Sequence, residues 1–280
     1  MAAGPADGDP VAVLRAWRGQ RTTQTLVVVV AIAGLTACTQ STPAVQAKRP
    51  ATGRGPSAQP VPVPVPSHAL LHVAPQSQLP ALPNGCEVTS LSMLLAAVGY
   101  RVDNLTLAAL QPTNSAQPIF GPRGHLFSDI VRWGDPNDSF VGAVAGHRYG
   151  IGYGIYHGPL TRLADHLLPG RAIDLTGRPF DDVLAQVANG TPVVTWVTSQ
   201  FKPTDNWVTW AGPHGPVHAT EDEHTVLLVG FDRQYVYVNN PLTNSAGQRL
   251  NRDLFISSWK QLGRQALSIT QAGARIPTPT

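Results

Sequence analysis

Behind Cys86 the apolar positions Val88, Leu91, Leu94, Leu95 and Val98 fall three or four residues apart, the spacing of one helical face. Gly99 follows as a stop signal. The pattern predicts an amphipathic helix from Cys86 to Gly99, entered through the turn Pro83-Asn84-Gly85. A second helix is predicted from Pro159, a favoured first helical position, to about Leu168. A third follows Pro179 and ends before Gly190, with Phe180, Val183, Leu184 and Val187 on its buried face. Beyond Gly190 the pattern changes to short β-type runs, which predict strands at Pro192–Val197, Thr225–Phe231 and Tyr235–Asn239. Arg252–Leu262 reads as helix again, and Gln265–Ile269 as a strand that closes the sheet. Helices first and strands later predict an α+β fold with an antiparallel sheet, not a parallel doubly wound one. Between Gln111 and His157 the chain is rich in Gly, Pro, Asn and Asp and is expected to be mostly loop.

The two ends differ from this middle. Arg15, Arg18 and Arg21 precede an apolar run from Leu26 to Leu35, which is too short to span a bilayer. A basic segment, a short apolar segment and then small residues is the layout of a secretory signal peptide. The run ends in Leu35-Thr36-Ala37-Cys38, which resembles the lipobox of bacterial lipoproteins. That resemblance implies that Cys38 is lipidated and becomes the first residue of the mature chain. An ordinary cleaved signal and an uncleaved anchor are the alternatives. From Thr39 the sequence is small, polar and proline-rich, ending in Pro60-Val-Pro-Val-Pro-Val-Pro66, a composition that makes an extended tether and not a core. The expected organisation is a signal peptide at 1–38, a linker at 39–66 and one folded domain at 67–280 with a frayed tail. No internal repeat is evident.

Composition narrows the class. Of 280 residues, 42% are hydrophobic, enough for a sizeable core. Lys and Arg number 20 against 17 acidic residues, and they form no stripe, so no nucleic-acid partner is expected. The chain has only two cysteines. In an exported protein a pair suggests a disulfide. If Cys38 is lipidated or removed, however, Cys86 is left as a lone free thiol.

At a helix start the helix dipole and open backbone N–H groups favour a thiolate, which is the nucleophilic form. A small buried cysteine is the competing reading of Cys86. A nucleophile needs a base, and the base needs an orienting partner. His224 stands where the acidic turn Glu221-Asp222-Glu223 gives way to an apolar strand. Asn240 ends the strand after it. Two adjacent strands so arranged can bring both side chains to one edge of the sheet, and the order Cys, His, Asn is that of papain-like enzymes. His214, His218, Glu221, Asp222, Glu223 and His224 form a dense set of metal-ligand types, but no distant second ligand motif accompanies them. No metal and no cofactor are expected. Trp133–Tyr156, aromatic and Gly-rich, lines a substrate cleft or packs a long loop.

Several motifs together resemble the secreted branch of family 39 of the cysteine peptidases. They are Gln78-Leu-Pro-Ala-Leu-Pro-Asn-Gly-Cys-Glu-Val-Thr-Ser90, Trp133-Gly-Asp-Pro-Asn-Asp-Ser-Phe-Val-Gly142, Tyr153-Gly-Ile-Tyr156, Asp174-Leu-Thr-Gly177, Gly190-Thr-Pro-Val-Val-Thr-Trp196, Glu223-His-Thr-Val-Leu-Leu-Val-Gly-Phe-Asp232 and Asn239-Asn-Pro-Leu242. The resemblance implies a papain-like fold, a helix carrying the cysteine packed on an antiparallel sheet. It implies Cys86 as nucleophile and His224 as base. The family places an acidic residue before the Pro-Leu, where this chain has Asn240. It implies Gln78, with Gln76 as alternative, as the side chain that joins the Cys86 N–H in stabilising an oxyanion. The expected function is an exported, lipid-anchored, monomeric thiol hydrolase acting on a peptide or protein. A catalytically silent binding module and an amidase or transpeptidase of cell-wall peptides are the rivals.

Overall fold

The computed structural model describes residues 66–124, 126–146 and 152–271. The chain divides into two units, Met1–Pro64 and Val65–Thr280. Cys38, its signal segment, the linker up to residue 65 and the tail beyond residue 271 lie outside the described residues.

In chain order the second unit begins with β1 (Ala69–Leu70), α1 (Cys86–Ala97), α2 (Asn104–Leu110), β2 (Thr113–Asn114) and β3 (Ile119–Phe120). A short 3-10 turn at Phe127–Asp129 leads into β4 (Ile130–Arg132) and β5 (Phe140–Val141). Then come α3 (His157–Leu167), β6 (Ala172–Asp174), α4 (Phe180–Ala188), β7 (Val193–Thr198), β8 (Trp207–Gly212) and β9 (Gly215–Thr220). The chain closes with β10 (Glu223–Phe231), β11 (Tyr235–Asn240), β12 (Ser245–Asn251), α5 (Arg252–Gln261) and β13 (Ala266–Ile269).

The main sheet runs β12-β11-β10-β7-β13-β6, with β1 paired to the far end of β10. Every pairing in it is antiparallel, as the element order predicts. β13 does not close the sheet: it lies between β7 and β6. The edge strand β6 has three residues, too few for an alternating pattern to show. β7 and all but the first residue of β10 are buried, which is why they read as continuous apolar runs. One face carries a core in which Phe180, Val183 and Val187 of α4 and Phe255 and Trp259 of α5 meet Val226 and Leu228 of β10. The other face carries α1. A separate four-stranded sheet, β3-β4-β8-β9, holds the β8–β9 hairpin, which the sequence pattern did not reveal.

The predicted helix at Cys86 is present, and Gly99 ends it with φ of +86°, a backbone state that costs glycine little. Its amphipathic character is not. Every residue from Cys86 to Leu95 is buried, including Glu87, Thr89, Ser90 and Ser92. Buried hydroxyls are tolerated when they are bonded. Ser90 Oγ donates to Thr225 O at 3.2 Å, Ser92 Oγ donates to Val102 O at 2.6 Å, and Thr89 Oγ1 accepts from Asn104 Nδ2 at 3.0 Å. Leu91, Leu94 and Leu95, fully enclosed, each contribute about 1.5–3 kcal/mol of apolar burial. This central helix is what fixes the position of Cys86.

Candidate active site

Cys86 is the first residue of α1, so its backbone N–H has no acceptor within the helix. The preceding turn needs glycine at 85, because a Cβ there would come within 2.7 Å of Leu82 Cβ. The thiol is buried and donates to Glu87 Oε2 at 3.4 Å. The other oxygen of Glu87 accepts from Ile155 N at 2.7 Å. Glu223, opening β10, brings a second carboxylate to the same place. One ligand atom each of Cys86, Glu87 and Glu223 lie within 4.8 Å of one another. Glu223 is also held by Thr225, whose Oγ1 donates to its Oε1 at 3.0 Å. Gly154 completes the enclosure, since a Cβ there would come 2.5 Å from Glu87 Oε1 and 3.3 Å from Glu223 Oε2.

The electrostatics reverse the expectation drawn from the helix start. Burial, then the charges of Glu87 and Glu223, push the Cys86 thiol well above its ordinary pKa, outweighing a lowering contact with the Thr225 backbone. Burial raises Glu87 to about 7 despite the Ile155 bond. Burial and the neighbouring Glu87 raise Glu223 well above the usual carboxylate range. In a low-dielectric site, charged forms are disfavoured and two carboxylates disfavour each other's ionisation.

His224 and Asn240 are brought together as expected, with His224 Nε2 and Asn240 Oδ1 2.9 Å apart. The antiparallel pairing of β10 with β11 does this. The amide's orientation is settled by its other partners. Asn240 Oδ1 accepts from the backbone N–H of Leu242 at 3.1 Å, and Nδ2 donates to Gln248 Oε1 at 3.0 Å. An acceptor facing the ring requires Nε2 to carry the proton, which leaves Nδ1 as the basic nitrogen. The imidazole also lies against Phe201, with ring centroids 6.3 Å apart.

Gln78 is buried and donates through Nε2 to Pro83 O at 2.7 Å, while its Oε1 has no hydrogen-bond partner among the described residues. Its backbone N–H donates to Pro241 O at 3.0 Å, tying this segment to the residue after Asn240. Gln76 is placed elsewhere: its side-chain amide lies 2.9 Å from Ser92 Oγ, in the second half of α1. Cys86, Gln78, Glu223 and His224 all border one cavity of about 600 Å³; Gln76 does not. The facing wall includes Leu126, Phe127, Trp133 and Tyr153, so the aromatic segment does line a cleft. Its rings brace one another: Phe127 stacks on Tyr153 with centroids 5.8 Å apart, and Tyr153 meets Trp210 edge-on at 5.4 Å.

The histidine-rich set does not converge. His214 pairs with Asp138 at 3.1 Å, and His218 stacks on Trp207 with centroids 4.6 Å apart. Among the described residues, the one group at metal-ligand distances is Cys86, Glu87 and Glu223. Sequence reasoning left Glu87 and Gln248 without a role and weighed Glu223 only among metal-ligand types. Glu87 and Glu223 flank Cys86 and His224 in the motifs, which is the only local signal they give.

The family model described as the Peptidase_C39 like family matches residues 70–267. The uncharacterized protein YvpB of Bacillus subtilis (strain 168) is 39% identical over 194 residues, covering 69% of this chain and 72% of the relative. A crystal structure from Bacillus anthracis, named as a C39-like peptidase, is similar with a TM-score of 0.66 and 37% identity, over 74% of this chain and 99% of that one.

Proposed function

This chain belongs to the Peptidase_C39 like family and has a papain-like fold, and from that premise we propose that it is an exported thiol hydrolase cleaving a peptide or amide bond through an acyl-enzyme. The observation that carries the reading is the His224–Asn240 pair. Its amide is locked so that the ring keeps a basic nitrogen, and its ring borders the same cavity as a thiol at a helix start.

In the proposed reaction a substrate carbonyl enters the cavity and Cys86 exchanges its bond to Glu87 for one to His224. His224 Nδ1 takes the thiol proton and sulfur attacks the carbonyl carbon. The developing oxyanion is stabilised by the Cys86 backbone N–H, which the helix leaves unpaired, and by the second N–H of Gln78 Nε2. The imidazolium returns its proton to the departing amine. Water, deprotonated by His224, then releases the acyl group and restores the thiol. Asn240 holds the ring but carries no charge to balance the imidazolium. The substrate class is a peptide or protein, and export with a lipid on Cys38 would place the reaction at the outer surface of a membrane.

The raised thiol pKa supports a second reading, a peptidase-like binding module that keeps the cleft without turnover. Alkylation of Cys86 by iodoacetamide decides between them. In the hydrolase, His224→Ala slows the reaction at neutral pH without unfolding the protein. A Cys86 rate that ignores His224 would leave the binding module standing.

A further inference from the structure

Glu87 and Glu223 transfer no proton in the proposed hydrolysis, yet both carboxyl groups lie within 4.8 Å of the reacting sulfur. Both are specifically held. Glu87 is fixed by the Ile155 N–H at 2.7 Å and by the thiol at 3.4 Å, and Glu223 by the Thr225 hydroxyl at 3.0 Å. The glycine at 154 leaves room for the two carboxylates where any side chain would collide with Glu87. No Lys or Arg is among the described residues bordering the cavity. Two carboxylates this close in a buried site cannot both ionise near neutrality at low cost, and one proton held by the pair relieves the repulsion.

We propose that Glu87 and Glu223 act as one carboxyl pair that shares a proton beside the Cys86 sulfur, and that the charge on this pair sets the pH range in which Cys86 can react as a thiolate. They are positioning residues for the charge of the nucleophile, acting through Cys86 and not on the substrate. The proposal rests on Cys86 being the reacting thiol.

Each state of the pair has a consequence. With the pair doubly charged, a thiolate would be a third negative charge within 4.8 Å, and the sulfur stays protonated. With one proton shared, the thiolate faces one charge, and His224, which borders the same cavity, can balance it. Among the described residues, Tyr153 and Tyr156, in the segment before α3, also stand near the pair. Their hydroxyls are 2.8 Å apart and burial holds both phenols protonated, so they add no charge. Glu221 borders the same cavity from the turn before β10, and Asp135 acts on Tyr156. Both are acidic and add no positive charge. Raising the pH therefore has two opposed effects: it draws the proton from the thiol, and it charges the pair that disfavours this. An ordinary cysteine has only the first.

The test uses the full chain, reading iodoacetamide labelling at the peptide that contains Cys86 across pH. Glu223→Gln keeps an oxygen for the Thr225 hydroxyl and removes the charge. At about pH 8 it should speed Cys86 labelling about tenfold or more and move the profile to lower pH. Glu87→Gln, which keeps an acceptor for Ile155, should move it the same way. Because either variant could fold poorly, the wild-type protein is also titrated by NMR with labelled glutamate carboxyl carbons. One carboxyl should change protonation near or above neutrality. Glutamates that all titrate in the ordinary carboxylate range overturn the proposal, whatever the variants do. Profiles that are unchanged in both variants, with Cys86 reactive and dependent on His224, overturn the pair while leaving the hydrolase reading intact. A Cys86 that stays inert in wild type and both folded variants overturns the pair's control of the sulfur and the hydrolase reading together.

Discussion

Replacing Asn240 by alanine probes the residue that orients His224 in the proposed reaction. The substitution removes the acceptor for His224 Nε2, the acceptor for the Leu242 N–H and the donor to Gln248 Oε1. A neutral hydrogen bond contributes about 0.5–1.5 kcal/mol net. The first of these bonds decides which ring nitrogen carries the proton, so its loss lets the imidazole present N–H where the reaction needs a lone pair. At about 1.4 kcal/mol per factor of ten, the expected fall in turnover is roughly two- to twelvefold. Stability should drop by about 1 kcal/mol, because Gln248 and Leu242 are only partly buried and can turn to water. Peptide hydrolysis, or Cys86 alkylation in its place, reads the first effect, and the urea midpoint reads the second. Asn240→Asp keeps the acceptor and adds a charge that balances the imidazolium, with Gln248 free to turn its amide and donate. Its activity should equal or exceed wild type. An alanine variant that folds and retains full activity would show that another group orients His224, and the reasoning from the locked amide would fail.

Asp174 offers a stability test with a defined sign. Burial alone would raise its pKa, but bonds from His157 Nδ1 at 2.7 Å and from the Thr176 backbone at 2.9 Å outweigh this and hold it below the ordinary range. A depressed folded-state pKa means stability that is present above the unfolded value of about 3.9 and lost as pH falls through the folded one. Asp174→Asn should therefore cost about 0.5–1 kcal/mol near neutrality, discounted for its partial exposure, and nothing in strong acid. Equal urea midpoints for the two proteins at neutral pH would refute this. Cys38→Ser should release the protein from membranes or leave its signal uncleaved in cell fractionation, and a wild-type chain that is soluble in the cytosol with Met1 intact would remove the lipid-anchor proposal.

Local spacing was enough for the elements that are long and covered on one side. The α4 pattern Phe180, Val183, Leu184 and Val187 is a buried helical face, and β10 and β11 stand where their apolar runs lie. Cys86, His224 and Asn240 were legible because each stands at the boundary of such an element, and boundaries carry turn residues and caps. The β8–β9 hairpin and β6 were not, because Trp207–Gly212 is only partly buried and Ala172–Asp174 is too short to alternate. Nor could the sequence show that α1 is covered all round. Its Thr and Ser residues look like a solvent face until the partners arrive from Asn104, Val102 and Thr225. The charge state of the sulfur depended most on tertiary structure. At the helix start, counting only neighbouring N–H groups favours a thiolate. Folding adds burial, encloses the neighbouring Glu87 carboxyl beside the thiol and brings Glu223 from a strand far along the chain, and all three oppose it. A helix dipole is a local property that the sequence displays; desolvation and the approach of a distant charge exist only once the chain has folded.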